Sequence, residues 1–262
     1  MFIDSHCHLD ARGLDGAAEA LTRARAAGVE AFVVVGVDRT LDAARFAVRL
    51  AGRHPDVRAV AGVHPHDASV LDDAMFAELA VLARDPAVAA VGEMGLDYHY
   101  MHSQKDEQKS AFRRQIALAR EVRKPIVVHT REAPGDTLDL LEEEGARDVG
   151  GVIHCFSEDL PFARRALDLG FDLSFSGIVT FKSAASVHEV AAWAPADRIL
   201  IETDSPYLAP VPLRGKPCEP AFLVHTAKRV ADLRGLPVED LARLTAGNTR
   251  RRFGFTGPAD SA

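Results

Sequence analysis

Short apolar segments recur along this chain, and each is followed by a segment with helical periodicity. The apolar segments are rich in Val, Ile and Ala, are too short for helices, and lie close to Gly, Pro or polar residues, as is typical of buried parallel strands. Because strands and helices alternate, we expect a parallel sheet with helices outside it. Eight strands are predicted, at residues 2–6, 31–36, 57–63, 88–93, 126–129, 151–155, 171–175 and 199–203.

The predicted helices are rich in Ala and Leu and carry mixed charges. They lie at residues 15–27, 40–52, 75–83, 108–122, 136–144, 160–169, 183–193 and 221–234, and the connections 97–107 and 204–220 are predicted to be long loops. Eight strand–helix repeats in 262 residues favour an α/β fold of the TIM-type (β/α)8 barrel, which takes about 250 residues. We predict a single (β/α)8 catalytic domain over residues 1–253 and a frayed tail over residues 254–262.

Composition and charge limit the kinds of partner and the cellular location expected for the protein. The formal charge of −7 argues against a broad basic face that grips duplex DNA. No apolar run approaches the roughly 20 residues needed to span a bilayer, and the start MFIDSHCHLD does not read as a signal peptide. We therefore expect a cytoplasmic protein without a membrane partner, with a monomer favoured.

The three cysteines are too few for a disulfide framework and form no CxxC pair, which fits a reducing compartment. Cys7 and Cys155 alternate with polar neighbours along predicted strands, so we expect both to point away from those neighbours and to be buried. Cys218 lies in a predicted loop and is expected to be exposed.

Histidine and carboxylate side chains stand at the ends of several predicted strands. The candidate metal ligands are His6, His8, Glu93, His129, His154 and Asp204. The first two form an H-x-H pair, and the two-residue period of a strand puts both rings on one side. Singly, each candidate is typical of a hydrogen-bonded strand end or a helix cap. Six at one end of a barrel instead indicate a metal site at the C-terminal ends of the strands.

Nitrogen and oxygen donors of this kind suit Zn, Mn or Mg. Six ligands exceed the needs of a single open zinc site, which typically uses three protein ligands and a water. They suit two ions separated by about 3.5–4 Å, between which a water can lose a proton to become a nucleophile at neutral pH. Two divalent metal ions per subunit are therefore expected.

Longer blocks of sequence resemble the TatD family of metal-dependent deoxyribonucleases, within the amidohydrolase-like metal-dependent hydrolases. The resemblance covers nearly the whole chain. The blocks that carry it are FIDSHCHLD at 2–10, GVHPH at 62–66, VGEMGLDY at 91–98, PIVVHTREA at 125–133, IHCFS at 153–157, ETDSPYLAP at 202–210 and NTRRRFG at 248–254. The ligand groups implied by the resemblance share Glu93 as a bridge: His6, His8 and Asp204 for one ion, and His129 and His154 for the other.

The resemblance also implies catalytic roles. Asp204 would accept the proton of the attacking water, because a carboxylate at the edge of the metal site lies within hydrogen-bond reach of it. Glu93 acts through its bridging position. His64, in GVHPH, has two interpretations: a phosphate contact or a proton donor to the leaving oxygen, and a structural turn residue before Pro65.

Substrate contacts are predicted for residues near the strand ends. Arg131 and Lys216 carry charges suited to a phosphate. Tyr98, Tyr207 and Phe181 are candidates for stacking on a nucleobase. The alternative for these three aromatic rings is packing within the protein. The family often has a basic residue and an Asn where this chain has Pro217 and Cys218. Substrate contacts made by the family's basic residue and Asn are therefore not carried over to this chain.

Three functions remain open from the sequence. The resemblance favours a 3′ to 5′ exonuclease on single-stranded DNA, whose ends would enter a pocket. The same site could instead hydrolyse a small amide, lactone or phosphoester, since a metal pair polarises carbonyl and phosphoryl oxygens alike. The third possibility is a non-catalytic barrel in which metal stabilises the fold.

Overall fold

The computed structural model describes residues 1–255 and shows a parallel barrel surrounded by helices, so the predicted TIM-type fold is confirmed. Neighbouring strands pair in sequence order, and all the pairs are parallel. The strands are β1 (Phe2–Cys7), β2 (Val29–Val37), β3 (Val57–Gly62), β4 (Val88–Asp97), β5 (Ile126–Arg131), β6 (Gly151–Ile153), β7 (Phe171–Phe175) and β8 (Ile199–Ile201).

The helices follow the strands on the outside of the barrel. They are α1 (Gly13–Ala26), α2 (Asp42–Arg53), α3 (Asp73–Ala83), α4 (Lys105–Val122), α5 (Pro134–Glu143), α6 (Leu160–Asp168), α7 (Ala185–Trp193), α8 (Leu223–Arg234) and α9 (Val238–Phe253). The last of these has no counterpart among the predicted helices. Among the helices of residues 1–255, none combines the length and the apolar character needed to cross a membrane.

The barrel closes through the segment that follows β8. The backbone N–H of Asp204 donates to the carbonyl of His6 at 2.9 Å, and the N–H of His8 donates to the carbonyl of Ser205 at 2.7 Å. The Ser5 hydroxyl adds a bond to the Ile201 carbonyl at 3.0 Å. These contacts place the H-x-H pair of β1 beside the acidic segment after β8.

Strand lengths differ from the prediction where the chain reaches the barrel mouth. β4 continues to Asp97, so Glu93 lies inside the strand rather than at its end, and the predicted loop 97–107 is reduced to residues 98–104. β6 and β8 end two residues earlier than expected, which places His154 just beyond β6 and leaves Asp204, predicted to follow its strand directly, three residues beyond the end of β8. For β4 the predicted end was wrong because the strand continues past the polar Glu93 through residues 94–97.

Two apolar layers hold the barrel together. One fills the barrel interior with small and branched side chains, including Ile3, Val33 and Val127, and the other lies between the strands and the outer helices. The C-terminal part of α9 packs against the interior layer, and the Asn248 side chain donates to the carbonyls of Ala196 and Ile199, each at 2.9 Å. α9 therefore covers the N-terminal end of the barrel.

A buried carboxylate also lies at this end of the barrel. Asp172 is 0% exposed and accepts hydrogen bonds from Arg198 Nε at 2.6 Å and Arg252 Nε at 2.8 Å. It thereby ties β7 to α9. The predicted tail begins beside this contact: Gly254 ends α9 and Phe255 is buried, while residues 256–262 of the predicted tail lie outside the described part of the chain.

Candidate metal centre

Glu93 lies at the centre of a cluster of histidines in the C-terminal mouth of the barrel. The residue is 3% exposed. Oε1 lies 2.8 Å from His154 Nε2 and 3.0 Å from His129 Nδ1. Oε2 lies 3.4 Å from His6 Nε2 and 3.7 Å from His8 Nε2. The two carboxylate oxygens therefore face two different pairs of the predicted histidine ligands.

Asp204 completes the group on the Oε2 side. Its Oδ1 lies 3.6 Å from His8 Nε2 and 3.8 Å from His6 Nε2, and those two nitrogens lie 3.2 Å apart. The structure thus brings all six predicted ligands to one place, with the two groups arranged about Glu93. Their roles as ligands remain a prediction.

The local backbone explains why Glu93 points into the mouth. The pairing of β4 with β5 shifts register between Gly92 and Met94, so Glu93 is an additional residue at a bulge, which redirects its side chain. Gly95, with φ of +143°, follows at a point where a side chain would collide with the carbonyl oxygen of His129. Glycine there lets β4 approach β5 closely.

The charges at this centre are strongly coupled. Burial raises the pKa of Glu93, but the adjacent imidazoles, His154 first, outweigh burial and hold it well below its usual range. Burial lowers the pKa of His154, but the carboxylates of Glu93 and Glu202 outweigh burial and hold it well above its usual value. Burial, reinforced by His154, lowers the pKa of His6. The carboxylates therefore favour a positive charge at the centre of the histidine cluster.

A divalent cation fits this environment. His6 Nδ1 and His154 Nε2 are buried without a hydrogen-bond partner, although the latter approaches Glu93 closely. Donor atoms within 4.8 Å of one another form the groups His6–His8–Glu93, His64–Glu93–His129 and His6–His154–Glu202. Imidazole nitrogens and carboxylate oxygens at such spacing are typical ligands of Zn and related ions.

His64 combines the two interpretations left open by the sequence. Its Nδ1 accepts the backbone N–H of His66 at 3.1 Å and so caps the turn that begins at Pro65. Its Nε2 lies 3.4 Å from Glu93 Oε1. Because Nδ1 accepts, the ring hydrogen of neutral His64 is on Nε2, and the turn therefore aims an N–H donor at the centre.

Sequence reasoning missed two buried carboxylates beside the centre. Asp97 Oδ2 lies 3.1 Å from His129 Nε2, and Glu202 Oε1 lies 3.2 Å from His154 Nδ1. A signal was present for both. Asp97 follows Glu93 by four residues, and Glu202 precedes Asp204 by two. Residues an even number of positions apart share a face of a strand, so a longer predicted strand would have placed each carboxylate on the same face as a predicted ligand.

The predicted substrate residues lie at different distances from the centre. Tyr207 is 61% exposed, and its ring meets that of His8 edge-on at 6.2 Å between centroids. Arg131 lies at the exposed rim, where its guanidinium carbon is 4.7 Å from the ring centroid of Tyr100. These two side chains therefore border the mouth.

The other predicted contacts are directed elsewhere. The Tyr98 hydroxyl donates to Asp136 at 2.6 Å, and Lys105 Nζ lies 4.0 Å from the centre of its ring. The Phe181 ring is covered by the guanidinium of Arg214 at 3.9 Å. Lys216 is exposed in the loop after β8. The structure does not bring these predicted residues against the histidine cluster.

The cysteines differ in part from expectation. Cys7 is buried, as predicted. Cys218 is also buried, contrary to the prediction, because the loop after β8 folds back so that the Cys218 N–H donates to the Pro206 carbonyl at 3.0 Å. Cys155 lies past the end of β6, so strand alternation does not apply to it. It is half-buried, with its Sγ 3.2 Å from Ser176 Oγ.

Comparison with known proteins identifies the family of this chain. The family described as TatD related DNase matches residues 3–254. The chain belongs to the TatD family. A relative from Bacillus subtilis (strain 168), the uncharacterized metal-dependent hydrolase YabD, is 43% identical over 254 residues, covering 97% of this chain and 99% of the relative. The Klebsiella pneumoniae (strain 342) protein named 3′-5′ ssDNA/RNA exonuclease TatD is 37% identical over 242 residues, covering 90% and 91%.

A solved structure of the same family supports the fold. The TatD homolog YjjV from Escherichia coli K12 superposes with a TM-score of 0.89 at 29% identity, covering 97% of this chain and 98% of that chain. Family membership and the cluster about Glu93 together identify this TatD-family protein as a metal-dependent hydrolase.

Proposed function

We propose that this protein is a deoxyribonuclease that shortens single-stranded DNA from its 3′ end with two bound divalent ions. The observation that carries the proposal is the position of Glu93, whose two oxygens face separate pairs of the predicted histidine ligands. The name of the Klebsiella relative supports a nucleic-acid substrate. The formal charge of −7 favours a strand end in a pocket over duplex wrapped along a surface.

The residues that would hold the metals follow the two groups about Glu93: His6, His8 and Asp204 on one side, and His129 and His154 on the other. When bound, such ions lower the pKa of a water to make a nucleophile and stabilise charge on the phosphoryl group. The native metal is proposed to be Zn, Mg or Mn, because mixed histidine and carboxylate sites accept several of these ions.

Side chains around the centre have distinct proposed roles. Asp204 borders the mouth, so its carboxylate is placed to accept the proton released by the attacking water. His64 would donate its Nε2–H to a phosphate oxygen, since that nitrogen is aimed at the centre. At the rim, Arg131 would contact a neighbouring phosphate and Tyr207 would stack on a base.

The proposal is tested by cleavage of single-stranded DNA labelled at the 3′ or the 5′ end. Metal-stripped protein is resupplied with Mg, Mn or Zn and compared with the Asp204→Asn variant. We expect metal-dependent loss of the 3′ label first, with progressive shortening of the 5′-labelled strand. Activity should fall by at least about 100-fold in the variant, because a general base typically contributes 10²–10⁴-fold.

Asp168→Asn is the matched control, because Asp168 is an exposed carboxylate at the end of α6, away from the mouth. It should cleave DNA like the wild type. No cleavage of DNA with any of the three metals would contradict the nuclease proposal. Turnover of a small ester, lactone or amide under the same conditions would then assign the site to small-molecule hydrolysis.

A further inference from the structure

His129 and His154, the two predicted ligands on the Oε1 side of Glu93, each lie between that carboxylate and a second, buried one. His129 has Glu93 at Nδ1, 3.0 Å away, and Asp97 at Nε2, 3.1 Å away. His154 has Glu93 at Nε2, 2.8 Å away, and Glu202 at Nδ1, 3.2 Å away. We propose that Asp97 and Glu202 are positioning residues that select which ring nitrogen of His129 and His154 is free to bind metal.

The chemistry of the partners carries this assignment. In each ring both nitrogens face a carboxylate, and an ionised carboxylate only accepts hydrogen bonds. The proposed function gives Glu93 to the metals, so the ring hydrogen of metal-bound His129 or His154 goes to Asp97 or Glu202. The lone pair of a neutral ring is then left on the opposite nitrogen, Nδ1 in His129 and Nε2 in His154. In both rings that nitrogen faces Glu93. Metal-binding histidines commonly donate their other N–H to such a partner.

Four contacts fix the orientation of the Asp97 carboxylate. The residue is 1% exposed. Oδ1 accepts the backbone N–H groups of His99 at 3.1 Å and Tyr100 at 2.9 Å, and Oδ2 faces the Nε2 atoms of His129 and His66 at 3.1 and 3.0 Å. One oxygen therefore orders the loop 98–104 while the other orients the rings.

Glu202 is arranged differently. A single oxygen, Oε1, accepts both the Cys155 N–H at 2.6 Å and the His154 Nδ1–H at 3.2 Å. The second oxygen, Oε2, is buried without a hydrogen-bond partner. An amide in place of this carboxylate can therefore keep its oxygen at the Oε1 position and still accept both hydrogens.

This difference gives the two amide variants expected effects of different size. In Asp97→Asn, the amide oxygen must stay with the two backbone N–H groups, so the amide nitrogen faces His129 Nε2 and donates to it. The His129 hydrogen is then moved to Nδ1, the nitrogen required for metal. In Glu202→Gln, the ring hydrogen of His154 stays on Nδ1, and Nε2 remains free.

The test measures metal binding and ring protonation in the full-length protein, without DNA. Zn²⁺ affinity is obtained by competition with a chromophoric chelator. We expect Asp97→Asn to lower the affinity for one of the two Zn²⁺ ions by about 10–100-fold, and Glu202→Gln to lower the affinity by less than about tenfold. Histidine ring NMR of the metal-free protein at alkaline pH should show the His129 hydrogen shifted from Nε2 toward Nδ1 in Asp97→Asn relative to the wild type.

Asp172→Asn is the matched control, since Asp172 is a buried carboxylate at the opposite end of the barrel. It should lower stability without changing Zn²⁺ affinity. Equal losses of affinity in all three variants would show a general effect of destabilisation and would overturn the proposal. Wild-type affinity and an unchanged His129 hydrogen in Asp97→Asn would overturn it as well.

This inference rests on the ligand assignment of the proposed function but not on the DNA substrate. Wild-type protein that binds Zn²⁺ and fails to cleave DNA would contradict only the nuclease proposal. Wild-type protein that binds no Zn²⁺ would contradict the ligand assignment and this inference together. The two failures are therefore distinguished by the wild-type titration.

Discussion

The imidazole rings of His6 and His154 stack with 3.9 Å between their centroids and 16° between their planes. The two residues come from β1 and from the segment after β6, and each belongs to a different proposed ligand group. The two proposed ligand groups are therefore joined by packed imidazole rings as well as by Glu93. Loss of either ring is expected to disturb both groups.

We expect the effects of His6→Ala and His154→Ala on metal affinity to be non-additive. Residues in contact usually show coupling free energies of about 0.5–3 kcal/mol in double-mutant cycles. Zn²⁺ affinities of the wild type, both single variants and the double variant give this coupling. His188, on α7, provides the control: the pair His6→Ala and His188→Ala should be additive. Additivity in the first pair would contradict a coupling through the packed rings.

Removal of metal is expected to lower thermal stability. Ligand at about 100 times its dissociation constant stabilises a fold by about 2.7 kcal/mol, and roughly 2–4 °C of melting temperature accompanies each kcal/mol in a chain near this size. Dialysis against a chelator should therefore lower the melting temperature by about 5–10 °C, and added metal should restore it. The same melting temperature with and without metal would argue that no ion binds to the folded centre.

Asp172→Ala is expected to destabilise the fold without affecting the metal centre. The substitution leaves Arg198 and Arg252 without their buried partner, which costs about 3 kcal/mol, near the lower limit for a broken buried pair, because both arginines keep some access to solvent. Urea denaturation measures the loss. Activity per folded molecule should be unchanged. A loss of activity larger than the loss of folded protein would contradict a purely structural role.

Tyr207→Ala is expected to weaken the binding of single-stranded DNA by roughly tenfold or more, since stacking of a base on an aromatic ring contributes about 1–3 kcal/mol. Turnover of a small phosphodiester, which has no base to stack, should change little. Tyr98→Phe is the comparison, because the Tyr98 hydroxyl is already bonded to Asp136. Fluorescence anisotropy with a labelled oligonucleotide measures both variants, and equal losses would argue against a specific role for Tyr207.

Cys7 and Cys218 are expected to resist thiol reagents in the folded protein. Both side chains are buried, and burial raises the pKa of Cys218 to about 12 and that of Cys7 well above its usual value. A chromogenic disulfide reagent at neutral pH should therefore label at most one of the three thiols before denaturation and all three after it. Rapid labelling of two native thiols would contradict the burial of this pair.

Much of the fold could be predicted from the sequence. The apolar segments predicted all eight strands, and residues 171–175 agree with β7 at both ends. The helix α9 was missed because the prediction ended with the eighth repeat, although its C-terminal part packs against the barrel interior. The burial of Cys218 was also missed, since it depends on how the loop after β8 folds back.

The amino-acid sequence by itself determined the alternation of strands and helices and the choice of residues at the barrel mouth, because periodicity and motif spacing are local properties of the chain. Only the tertiary structure decided that Glu93 presents one oxygen to each pair of histidines. It also placed Asp97 and Glu202 behind His129 and His154. Such contacts depend on the bulge at Glu93, on strand register and on barrel closure, which bring together side chains far apart in sequence.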